Sequence, residues 1–222
     1  MYKRKFTTFI AIMAFCTMAI ASSPQQEDHH KKPSMESILK IELQTVTVED
    51  FAAEGFILDI GGGGEGVIGQ LKGQQVIAID ISKRELEEAP SGPLKIVMDA
   101  RDLKFLDDTF STATVFFTFM YIAGNDHQKV FEELQRVLKP GGRLLIWDVI
   151  FPELTDKEKN SALFPFKFIL PEKEIRTGYG VRRPEGEQGL EHFIELAKKT
   201  GFQIVSHNEK DRWFFLEVRK PE

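Results

Sequence analysis

The chain has 222 residues, 42% hydrophobic and 28% charged. That balance suits one folded domain with an appendage, and excludes a disordered chain, a collagen-like fibre and a multi-span membrane protein. A single cysteine excludes an internal disulfide framework and a cysteine-built zinc site. The formal net charge of −5 offers nothing to hold a polyanion, so no nucleic-acid partner is expected.

Residues 1–21 carry Lys3, Arg4 and Lys5, then the uncharged, mostly apolar run from Phe6 to Ala21. Ala19 and Ala21 are small residues at the two positions a signal peptidase reads. The pattern is that of a secretory signal peptide. The run is shorter than the ~20 residues of a bilayer span, so an uncleaved anchor is the second reading. Bulky Phe15 before Cys16 disfavours lipid attachment there. Either reading predicts export or membrane anchoring, with membrane contact confined to residues 1–21 if they are retained. Residues 22–45 read as a polar linker and lead-in, with His29 and His30 in a stretch too loose to hold a complete ligand set. No metal is expected.

Residues 46–222 read as the folded domain. Strands are predicted at Phe56–Ile60, Val76–Asp80, Leu94–Met98, Ala113–Phe119 and Arg143–Val149, each an apolar run suited to a parallel sheet covered on both faces. Helices are predicted at Asp126–Leu138, stopped by Lys139-Pro140-Gly141-Gly142, and at Leu190–Thr200, stopped by Gly201. Phe202–Ser206 and Trp213–Val218, around a turn at Asn208–Asp211, read as a terminal antiparallel hairpin. Alternating strands and helices imply an α/β, doubly wound sheet, whose ligands bind beyond the C-terminal ends of the strands.

The loops after the strands therefore carry the functional signal. After Ile60 come Gly61, Gly62, Gly63 and Gly64, then Glu65 and Gly66. Glycines there allow a positive φ and let a ligand touch the main chain. Gly61, Gly63 and Gly66 fit a dinucleotide fingerprint by spacing. Asp59, however, would repel a pyrophosphate and attract a cationic ligand. Asp80, about 20 residues beyond Gly61, stands where an acid accepts both ribose hydroxyls of an adenosine. Ile81 is placed to pack on an adenine face. Ser82 is available as a helix N-cap, leaving Asp80 for the ligand. Asp99 with Ala100 closes the third strand, where an acid accepts from an adenine amine.

The succession LDIGGGGEG, AIDIS, MDARDLKFLDDTF and ELQRVLKPGGRLLIWDV, from about Phe56 to Val149, resembles the class I S-adenosylmethionine-dependent methyltransferases of the small single-domain type. The resemblance implies a Rossmann-like seven-stranded sheet, mostly parallel with a C-terminal antiparallel hairpin. It implies S-adenosyl-L-methionine as cofactor, with Asp59, Gly61 and Gly63 beneath the methionyl part, Asp80 and Ile81 at the adenosine, and Asp99 and Ala100 at the adenine. It also implies that Phe119, Met120 and Tyr121 border the transferred methyl. The family's glycines alternate as DxGxGxG. Here Glu65 occupies the third glycine position, so either the loop is one residue longer or Glu65 faces the cofactor's ammonium group.

Methyl transfer from a sulfonium is an in-line displacement, for which the protein mainly supplies proximity and alignment. Where a base is needed, Tyr121 and His127 are the leading candidates, with Asp126 and Asp148 also near the strand ends. His127 reads first as a surface helix residue, and Asp126 as that helix's N-cap. Residues 150–189 exceed an ordinary connection. Their alternation around Phe166, Phe168 and Leu170, then Ile175, Tyr179 and Val181, predicts an extra hairpin capping the site. Its aromatics suit a small, partly apolar methyl acceptor. Arg182-Arg183 could hold an acidic acceptor but reads as solvated.

A nicotinamide-dependent oxidoreductase is the alternative enzyme, opposed by Asp59, by the hairpin and by the lack of a Tyr-x-x-x-Lys pair. A non-catalytic cofactor-binding domain is the other alternative. An exported domain conflicts with a cofactor made in the cytosol, which keeps a cytoplasmic location in view.

Overall fold

The computed structural model describes residues 38–153, 160–186 and 188–222. The proposed targeting segment, Cys16, His29 and His30 lie outside the described residues.

A seven-stranded sheet forms the centre of the domain. Its strands are β3 (Ile57–Ile60), β4 (Val76–Asp80), β5 (Leu94–Val97), β6 (Phe110–Phe116), β7 (Leu138–Val149), β10 (Gln203–Lys210) and β11 (Trp213–Arg219). Their order is β10-β11-β7-β6-β3-β4-β5. β3 through β7 run parallel, while β11 is antiparallel to both β7 and β10. All four residues of β3 are buried, as a central parallel strand requires. The expected fold class is the one observed.

Element ends shift for identifiable reasons. β6 stops at Phe116 because Phe117 turns left-handed at φ 51°. A single 3-10 turn, Phe119–Tyr121, follows. β7 runs straight through the predicted Lys-Pro-Gly-Gly stop, and Gly141 N–H donates to the Lys220 carbonyl at 3.0 Å. β10 continues to Lys210, so the hairpin turns at Asp211, where φ is 54°.

Side chains alternate across the sheet, so neighbours on one strand enter different layers. Leu144 and Ile146 of β7 face α3 (His127–Val137) and α4 (Leu190–Lys199). Leu145 and Trp147 face the other layer, shared with α1 (Val67–Lys72), α2 (Lys83–Glu88) and a second sheet.

That second sheet joins β1 (Ile38–Lys40), β2 (Gln44–Thr47), β8 (Ser161–Ile169) and β9 (Glu174–Arg182). β8 is central. β9 lies antiparallel along one side, and β1 then β2 lie parallel along the other. Pro165 sits mid-strand where the partner changes from β1, paired up to Leu163, to β2, paired from Phe166. A residue lacking an N–H is tolerated at such a gap. Ala162, Phe164, Phe166, Phe168 and Leu170 alternate inward and are buried. Phe168 meets Phe116 at 5.0 Å between ring centroids, and Phe166 meets Phe117 at 4.5 Å. Each such buried ring contributes roughly 1.5–3 kcal/mol.

The predicted extra hairpin is therefore β8–β9. β2 spans residues 44–47, across the point where the sequence reading ends the lead-in.

Candidate functional site

The crevice is built at the C-terminal ends of β3, β4 and β6. Gly61 has φ 70°, and a Cβ there would stand 2.2 Å from Thr118 Oγ1, so no other residue fits. Thr118 Oγ1 in turn lies 3.2 Å from the Ile60 carbonyl and 3.1 Å from that of Phe116, tying the β6 exit to the β3 exit. Gly62 N–H donates to the Ile79 carbonyl at 3.0 Å. At Gly63 a Cβ would stand 2.8 Å from Asp80 Oδ2 and 2.6 Å from Glu85 Cβ. The loop thus lies bare-backboned against the end of β4, with Asp80 beside it.

Asp80 is half-buried. It accepts from Ser82 N–H at 2.8 Å and from the Gly63 N–H. Burial pushes its carboxyl above the ordinary value. Ser82 caps α2, its Oγ accepting from Glu85 N–H at 3.3 Å, so Asp80 is not spent on that helix. Ile81 beside it is 57% exposed, as an adenine-packing residue must be. Met98 N–H donates to the Asp80 carbonyl at 3.0 Å, bringing the β5 exit alongside.

Asp59 departs from expectation. It is buried beneath the loop, its Oδ1 accepting from Thr114 Oγ1 at 2.7 Å, with Oδ2 close under Gly62. Burial, with Asp80 nearby, pushes its carboxyl up to about 7, against the lowering effect of Thr114. It braces the loop from below and does not reach a ligand.

Asp99 is held by Arg101, whose Nε and Nη2 reach its carboxylate at 3.0 and 2.7 Å. That pairing keeps Asp99 below the usual carboxylate range. Arg101 Nη1 also donates to Asp126 at 2.7 Å. Asp126 occupies the N-cap position of α3, as read from the sequence, but its side chain makes no capping bond and is held by the Arg101 guanidinium instead. Arg101 escaped the sequence reading because its two partners are remote from each other in the chain. Ala100 is half-buried against the core.

The β6 exit separates three residues that the sequence placed together. The 3-10 turn sends Phe119 into the core, fully buried, with its ring 4.9 Å from Phe193 and 5.4 Å from Phe131. Its side chain cannot border a transferred methyl. Met120 is buried against the stranded layer, while Tyr121 is 43% exposed, its ring edge to face with that of Tyr179.

His127 is a second correction, because it is fully buried rather than on the surface. Its Nε2 lies 3.2 Å from the Phe119 carbonyl and 3.0 Å from that of Ile122. Carbonyls only accept, so Nε2 carries the proton, and Nδ1 accepts from His192 Nε2 at 3.1 Å. Burial lowers its pKa. The ring holds the 3-10 turn from behind. Asp148 holds the same turn from β7, accepting from Met120 N–H at 3.3 Å, and burial pushes it up to about 7.

Glu65 turns away from the crevice floor toward β9. It accepts from the hydroxyls of Thr177 and, at 3.1 Å, Tyr179. The Tyr179 ring centroid lies 6.0 Å from that of Phe117 and 6.5 Å from that of Tyr121. Arg182 and Arg183 are exposed.

An adenosine-bearing sulfonium fits what is present. Gly63 leaves the main chain bare beside the Asp80 carboxylate, and Ile81 offers an exposed apolar face. Among the described residues, no salt bridge with lysine or arginine falls on Asp59, Glu65 or Asp80. Of these, Asp80 lies beside the bare loop, where an unpaired carboxylate attracts a cation and repels a pyrophosphate.

Comparison with known proteins agrees. Residues 58–146 match the family model described as a methyltransferase domain. The chain is 35% identical over 112 residues to a sterol 4-C-methyltransferase of Caenorhabditis elegans, covering 46% of this chain and 33% of that protein. It is 26% identical over 194 residues to an O-methyltransferase of Aspergillus sclerotiorum, covering 80% of this chain and 67% of that one. The chain thus spans a third of the first relative's length and about two thirds of the second's. Among solved structures, a SAM-dependent methyltransferase from Methanosarcina mazei superposes with a TM-score of 0.55 at 19% identity, covering 77% of this chain and 94% of that one.

Proposed function

We propose that this chain, a class I S-adenosylmethionine-dependent methyltransferase, moves a methyl group onto a small, partly apolar acceptor held beneath the β8–β9 hairpin. One observation carries the reading. The bare Gly61–Gly63 backbone and the Asp80 carboxylate meet at the strand ends, and Glu65 of the same loop is bonded to Tyr179, whose ring centroid lies 6.5 Å from that of Tyr121.

The cofactor, when bound, supplies a methyl on a positively charged sulfur that leaves as a neutral thioether. The chain's own part is alignment. Gly61 and Gly63 let the backbone close on the methionyl portion, Asp80 accepts from the ribose hydroxyls, and Ile81 covers the adenine, with Asp99 at its edge. Thr118, His127 and Asp148 fix the β6 exit. Of the two residues named as bases, Tyr121 reaches the crevice mouth, whereas both ring nitrogens of His127 are engaged in the core.

Titration calorimetry with S-adenosylmethionine, S-adenosylhomocysteine and NAD tests this directly. Binding of the first two and not the third is expected, with Asp80→Ala weakening it at least about tenfold, the loss of one charge-assisted hydrogen bond pair. No binding at millimolar concentration, or an unchanged Asp80→Ala, overturns the assignment. Methyl transfer across an acceptor panel then distinguishes an enzyme from a non-catalytic binding domain.

The sequence pattern of residues 1–21 supports export or membrane anchoring of the domain. Fractionation of a tagged full-length chain checks it. A wholly cytosolic product with residues 1–21 intact refutes it.

A further inference from the structure

We propose that Glu65 is a positioning residue whose carboxylate latches β9 onto the glycine loop, so that cofactor engagement and closure over the acceptor are coupled. The proposal rests on the methyltransferase reading of the crevice and adds a device within it.

Glu65 is the one side chain in the stretch Gly61–Gly66. It stands where the family pattern has its third glycine, and it does not point at the loop's own ligand face. Instead its two oxygens take two hydroxyls of the neighbouring sheet, Thr177 on Oε1 and Tyr179 on Oε2. Hydrogen bonds to an ionised carboxylate are about twice as strong as neutral ones. Gly64 at φ 56° and Gly66 at φ 51° turn the backbone on either side of Glu65. The loop is pinned at Gly62 and Gly64 by the Ile79 and Glu85 carbonyls, the latter at 2.9 Å.

The far end of the latch is a wall of the acceptor space. Tyr179 packs on Phe166 at 5.6 Å and on Phe117 at 6.0 Å, and meets Tyr121 edge to face. Among the described residues β9 is strand-paired on one side, along β8, and the Glu65 carboxylate bonds it to the glycine loop. A ligand that fixes the loop therefore also fixes β9. By linkage, an acceptor held under β9 strengthens cofactor binding by the same factor.

Hydrogen exchange of residues 174–182 in the full chain, with and without S-adenosylhomocysteine, reads this coupling. In the parent protein, saturating ligand should slow β9 exchange about tenfold, as expected for local opening that the ligand opposes. Glu65→Gln and Glu65→Gly, brought to saturation at whatever higher ligand concentration they need, should lose that slowing. Tyr179→Phe should lose part of it. Parent protein that binds the ligand with no change in β9, or a Glu65→Gly that keeps the full slowing, overturns the latch.

Failure of the parent protein to bind S-adenosylhomocysteine at all would instead strike the crevice assignment. The latch is then judged without ligand: β9 should exchange about tenfold faster in the Glu65 variants than in the parent, and equal rates refute it. Should Glu65→Gly not fold, Glu65→Gln and Tyr179→Phe decide the question.

Discussion

The two faces of the seven-stranded sheet are covered by different means. On one, α3 and α4 bury Phe131, Leu134, Phe193 and Ile194, and each helix is a continuous segment with its own apolar stripe. On the other, much of the cover is a second sheet in which residues 38–47 pair with 161–169. Local order makes the first face; distant strand pairing makes the second. The ligand crevice lies at the strand ends, where the second sheet reaches over it through Tyr179.

Both tryptophans, Trp147 and Trp213, belong to the stranded face, so their fluorescence reports on it selectively. Phe166→Ala and Phe131→Ala each remove a fully buried ring and should cost about 3–5 kcal/mol in urea unfolding. Only Phe166→Ala should shift the native tryptophan emission substantially. Equal shifts in the two variants would show that the faces are not separable.

Gly61→Ala tests how tightly the crevice floor is packed. The left-handed φ and the collision with Thr118 should together cost about 2–4 kcal/mol and abolish binding of S-adenosylhomocysteine, measured by calorimetry. A variant of parental stability and affinity would mean that the loop relaxes freely.

A smaller effect separates the buried acids from the buried histidine. The Asp59 carboxyl sits at about 7 in the fold against an ordinary 3.8. Its stabilising effect is complete below pH 3.8 and is lost as pH rises through 7. Asp148 behaves alike, so Asp59→Asn should remove about half of the decline in urea midpoint between pH 5 and 8. His127, lowered by burial, acts in the opposite sense and weakens the fold as pH drops below 6.5. An unchanged pH profile in Asp59→Asn would place its ionisation elsewhere.

The legibility of the sequence follows the same division. β3, β4, α3 and α4 announce themselves by local periodicity and by their stops. The glycine loop and Asp80 are readable because the chemistry sits in consecutive residues after a strand. The roles of Glu65, Arg101 and His127 were not readable, since each is defined by partners far along the chain: Thr177 and Tyr179, Asp126, and His192. Phe119 was misplaced because one 3-10 turn rotates neighbouring side chains to opposite sides. Residues 38–45 read as lead-in because short strands carry too few residues to show an alternation.

Pro165 and the strand around it have a further consequence for biosynthesis. A nascent polypeptide leaves the ribosome with β1 and β2 early, yet the strand they pair with among the described residues, Ser161–Ile169, follows much later. The central βα units can begin to fold during that interval while the leading strands wait. The second sheet thus cannot close until translation has passed β8.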